Sequence, residues 1–136
     1  MTNIETALRA YVEAAEKQPV VWGESDCSAW AARWVSSFHG RKLIAPHWRS
    51  SVEARQLVAD AGSLAALWTK VLSEYGLQLR YGAPQAGDVG ILETRVSGQV
   101  GVIFIHDALV VWRGEPVGAR FLRPHPQAIV KVWALI

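Results

Sequence analysis

A chain of 136 residues, half of them hydrophobic and seven of them tryptophan, can bury a core and is too apolar to be disordered. The net charge of +2 comes without a basic run, Arg41-Lys42 being the one adjacent basic pair, which excludes the basic stripe of a nucleic-acid-binding protein. One cysteine excludes an internal disulfide, and His39, His47, His106 and His125 have no metal-ligand spacing, so neither metal nor cofactor is expected. The longest wholly apolar run, 100–105, is too short to span a bilayer, and the charged N-terminal segment is no signal peptide. These features predict one domain over 1–136, made in the cytoplasm and not inserted in a membrane.

In chain order, Thr2 or Asn3 can cap a first helix that runs to about Lys17 with Ile4, Ala7, Leu8, Tyr11, Val12 and Ala15 as its stripe. Ser25 or Asp26 can cap a second, which Cys27 opens and His39-Gly40 closes. A loop from Arg41 to Ser50 leads to a third helix over 51–61. Ser63 caps a fourth with Leu64, Leu67, Trp68, Val71, Leu72 and Tyr75 on its face and Gly76 at its end. The period then falls to two. Strands are predicted over 77–81, 88–93, 99–105, 108–113, 117–122 and 129–135, with a turn at 84–87 and a hairpin turn at His106-Asp107. Helices first and antiparallel strands second predict an α+β domain, its N-terminal helices packed on one side of a small meander sheet.

Cys27 stands in the first turn of the second helix. Cys27, Trp30, Ala31, Trp34, Val35 and Phe38 keep helical time on its apolar side. Backbone N–H groups and the helix dipole favour an anion there, so the thiol is expected to ionise below the free value of about 8.5. A lone cysteine on an apolar helix face is also the place of a small buried hydrophobe, and this stretch alone leaves both readings open. Trp30 and Trp34 follow the helix period and read as core. Trp22 precedes the helix and is the candidate for lining a groove. Asp88, after glycine in a turn, reads as a cap for backbone N–H groups, and Arg49 either as a bidentate grip for a carboxylate or, the more frequent outcome, as a solvated loop charge.

The order of these parts resembles the NlpC-type cysteine peptidases, a papain-like superfamily that cuts cell-wall peptides and related amides. Asp26-Cys27-Ser28 with its following helix is similar to the family's nucleophile segment. Ala86-Gly87-Asp88-Val89 is similar to its glycine-aspartate turn into the central hairpin, and Gln99-Val100-Gly101-Val102 stands where the family has His-Val-Gly-Ile. The likeness covers roughly 22–113. It implies Cys27 as nucleophile beside Asp26, with Trp22, Ser25 and Ser28 around the substrate. The Trp-Gly-x-x-Asp-Cys start and the Trp48-Arg49 loop more narrowly resemble small phage-encoded members that sit in, or help assemble, the tail tip.

One position departs from the pattern. Where the family's histidine acts as general base this chain has Gln99, whose amide does not titrate near neutral pH. The orienting residue of the next strand falls at Val111 or Trp112, neither suited to that work. Strand alternation puts His106 on the face opposite Gln99 and roughly 20 Å away. His125 lies between two prolines in a loop, and His47 is the histidine whose loop can fold over the start of the second helix. The resemblance therefore implies a virion tail component, a tail-tip or baseplate part with lost activity that contacts other phage tail-tip proteins. The alternative is a working amidase or endopeptidase that opens cell-wall peptides during DNA entry, and a third reading is a module that binds wall peptides in the old cleft.

Overall fold

The computed structural model describes residues 3–106, 109–114 and 118–136. Among these, α1 (Ile4–Ala15), α2 (Cys27–His39), α3 (Ser51–Ala61) and α4 (Leu64–Tyr75) precede the strands. Each begins where a side-chain oxygen satisfies an orphan donor: Asn3, Asp26, Ser50 and Ser63 accept from the N–H three residues on. Gly40, in the left-handed region at φ 66°, ends α2, and Gly76 ends α4 in the same way. Helix α1 stops at Ala15, short of the expected Lys17.

The sheet holds β1 (Val89–Thr94), β2 (Gly98–His106), β3 (Leu109–Trp112), β4 (Arg120–Leu122) and β5 (Ile129–Trp133), in the order β4-β3-β2-β1-β5. Every pairing is antiparallel. The domain is therefore α+β, as expected. The predicted strand over 77–81 is not one: Leu79 makes a single bridge to Trp133, flanked by backbone bonds of Arg80 and Gln78 to β5. Its partner edge is β5, which leaves the segment one bridge wide. Asp107 of the predicted turn and Val117 of the predicted strand lie outside the described residues.

One face of the sheet carries Val89, Ile91, Ile103, Val111 and Trp133 into a core with Leu8, Val12, Trp30, Trp34, Val35, Trp68 and Leu72 of the helices. Trp30 and Trp34 are buried, Trp30 stacked on Tyr11 and Trp34 donating its indole N–H to the Gly87 carbonyl at 2.8 Å. The expectation of helices against one side holds, but the opposite face is buried as well. There Leu92, Val100, Val102, Phe104, Val110 and Val132 form a second cluster. Strands β4 and β5 lie at opposite edges, so 123–128 must carry the chain across the sheet, and its 3-10 turn, Pro126–Ala128, meets β1 on the way.

Arg113 joins the layers beside β3. It is 2% exposed, and its guanidinium donates to five carbonyls, those of Ala15, Gln18, Pro19, Ser25 and Gly118, at 2.6–3.3 Å. One side chain thus caps the end of α1, holds the segment before α2 and fastens the approach to β4. Burial pushes its pKa down from the ordinary arginine value, yet hydrogen bonds to a cation are the strong kind. Arg113→Ala is expected to cost about 3 kcal/mol or more, because it strands several carbonyls at once. Urea unfolding checks this. A loss below about 1 kcal/mol would show that the five bonds do not hold the layers together.

Candidate functional site

Cys27 opens onto a cleft of about 780 Å³. The first residues of α2, the inner side of α3, the start of α4, the 93–100 hairpin, the end of β3 and Arg120 of β4 surround it. The N-terminal ends of α2, α3 and α4 all face it, through Cys27 and Ser28, Ser51, and Ser63 and Leu64. Of the residues singled out by sequence, the structure brings Trp22, Asp26, Cys27, Ser28, Gln99 and Trp112 together along this cleft. Ser25 is not among its lining residues. Its hydroxyl accepts from the Val21 N–H and donates to the Pro19 carbonyl, so it shapes the turn before the helix.

Asp26 is buried and serves structure. One oxygen caps Ala29 N–H, while the other accepts the Gly23 N–H at 2.6 Å and the Trp48 indole N–H at 2.8 Å. Gly23 has φ 84°, and a Cβ there would sit 1.9 Å from the Trp48 carbonyl oxygen. Only glycine lets the 41–50 loop lie so close against the turn that leads to Cys27. Trp48 is a lining residue whose role the sequence did not reveal, and so are Arg55 and Glu93. The signal for Trp48 was its pairing with a glycine turn, which only contact across 22 positions makes visible.

The thiol itself differs from expectation. Burial pushes the Cys27 pKa up from the ordinary thiol value. The Gly101 N–H opposes this, the Asp26 carboxylate adds to it, and the Ser28 hydroxyl and N–H oppose it again. Desolvation outweighs the helix terminus because Cys27 packs against the cluster on the second face of the sheet. Trp68 comes close on the other side of β2: a Cβ on Gly101 would meet its ring at 2.3 Å, and its indole N–H donates to the Ser28 hydroxyl at 3.0 Å.

Gln99 lines the cleft, and its side-chain oxygen accepts from the Ala65 N–H at 2.9 Å, which ties β2 to the first turn of α4. Trp112 is half-buried with the Arg120 guanidinium 6.0 Å from its ring. None of the four histidines lines the cleft. His39 donates to the Leu135 carbonyl at the far end of α2, His125 caps the 3-10 turn, His106 ends β2, and His47 is exposed, as is Arg49. Asp88 is buried and accepts from Gln85 N–H, Leu135 N–H and Arg80, the capping role expected of it.

The model of a domain of unknown function, DUF6950, matches residues 1–135. The chain belongs to the DUF6950 family. A search of curated proteins finds no match. Among the described residues of this DUF6950 chain, no three acidic, histidine or cysteine side chains gather as a metal site, and no helix is long and apolar enough to cross a membrane.

A raised thiol pKa leaves less thiolate at a given pH, and the thiolate is the reacting form. Alkylation of Cys27 in the folded protein is expected to rise through a midpoint above about 8.5 and to run slower at pH 8 than in denaturant. A midpoint below that of the unfolded chain would mean an activated nucleophile.

Proposed function

We propose that this DUF6950 chain has a papain-like, NlpC-type fold whose hydrolytic machinery is lost, and that it works as a structural or assembly component of a phage tail tip through a cleft that binds and does not cut. One observation carries the loss of activity. The cleft around Cys27 contains no histidine, and Gln99, at the position of the family's base, has its side-chain oxygen committed to the Ala65 N–H. A cysteine without a base lacks a contribution of about 10²- to 10⁴-fold, and a thiol held neutral by burial loses nucleophile as well. The likeness of 22–113 to phage-encoded members of that superfamily supports the tail-tip assignment. A lining that includes Trp22, Trp48, Trp112 and Arg55 suits contact with another protein, since tryptophan and arginine dominate interface energies.

A working amidase is the second reading, and it draws on the Gly101 and Ser28 donors, which favour a thiolate at Cys27. Incubation with cell-wall peptide fragments separates the two. The expected outcome is no released amine above the protein-free control at any pH from 6 to 9, a span set by the titration of histidine and thiol. Release that Cys27→Ala abolishes would overturn the inactive reading. For the tail-tip assignment, purified particles are expected to contain the chain at fixed stoichiometry, and its presence in lysates alone would overturn it.

A further inference from the structure

We infer that the cleft takes a proline-rich, extended segment of a partner protein that carries a carboxylate, an assignment that rests on the non-catalytic reading above. The argument is one of complementary groups. Trp22, Trp48 and Trp112 supply flat apolar surface to the lining. The indole N–H groups of Trp22 and Trp112 have no hydrogen-bond partner, and neither nitrogen is buried, because the described residues hold no buried side-chain nitrogen or oxygen without a partner. The side-chain amide nitrogen of Gln99 and the guanidinium of exposed Arg55 are likewise unpartnered. Donors and rings therefore prevail, with Glu93 the one carboxylate of the lining left open once Asp26 has accepted its three N–H groups.

The occupant has to bring acceptors and few donors. A polyproline II segment does so: its carbonyls point outward, its prolines have no N–H, and its rings pack on indoles. Strand addition does not fit inside the cleft. The backbones of β2 and β3 that border it are already paired, β2 to β1 and β3, and β3 to β4. Arg55 has no carboxylate partner among the described residues, which selects an acidic residue beside the prolines.

The test is a titration of the full chain, followed by tryptophan fluorescence and calorimetry. The probes are a proline-rich peptide with two glutamates, the same peptide with alanine for proline, and a cell-wall tetrapeptide. Saturable binding of the first, at least about tenfold tighter than the second, is expected. Trp112→Phe removes one indole donor and keeps a ring, and Arg55→Ala changes an exposed side chain. Each is expected to weaken binding several-fold, the second only at low salt, while Tyr81→Ala, 91% exposed and outside the cleft, leaves it unchanged. Equal binding of the alanine peptide, or no binding of the proline peptide up to about 1 mM with no hydrolysis, overturns the proline-rich ligand alone. Cleavage of the tetrapeptide overturns the non-catalytic reading on which it rests.

Discussion

The guanidinium of Arg113 is where the two halves of the chain are joined. Its donors converge on carbonyls of the end of α1, of the segment that leads to Cys27 and of Gly118 before β4. A helix end leaves four carbonyls without partners, and a short irregular segment leaves more, so a buried site at this corner needs a dense source of donors. Arginine supplies five from one plane. Among the described residues Arg113 makes no ion pair. Carbonyl dipoles surround the charge, and the bond to Ser25 fastens the turn that leads to Cys27.

Asp26 performs the complementary task a few residues on, gathering three N–H groups where Arg113 gathers carbonyls. Its position next to a cysteine invites comparison with catalytic carboxylates. The geometry gives it to the Gly23 turn, the α2 cap and Trp48 instead. Gln99 likewise serves structure, its side-chain oxygen closing a gap between β2 and α4. Asp26 and Gln99, both in the lining of the cleft with Cys27, are held by structural bonds, and burial pushes the thiol pKa up.

How much of this was legible in the sequence follows from the range of each interaction. Caps such as Ser50 and Ser63 act over three residues, and α2, α3 and α4 begin and end where local signals put them. Strands β1 to β3 were visible from their period. The 77–81 segment read as a strand because its residues alternate, but it meets only one bridge of β5. The second buried face was not legible, since alternation marks the two faces of a strand and does not say that both are covered. The same holds for the Cys27 environment. A local argument from the helix terminus gave a direction opposite to the one that burial in the folded chain imposes. Arg113 carried a faint signal, a lone charge directly after an apolar strand.

The edge pairing of β5 with β1 has a kinetic side. Val89 meets Trp133 across a loop that contains the whole β2–β4 meander. Loop-closure entropy makes such a contact late, after the neighbouring hairpins have formed. Until then Val132, Trp133 and Leu135 are absent from both clusters, and β1 presents an open edge flanked by apolar faces. Docking of β5 pairs that edge and closes it to a foreign strand.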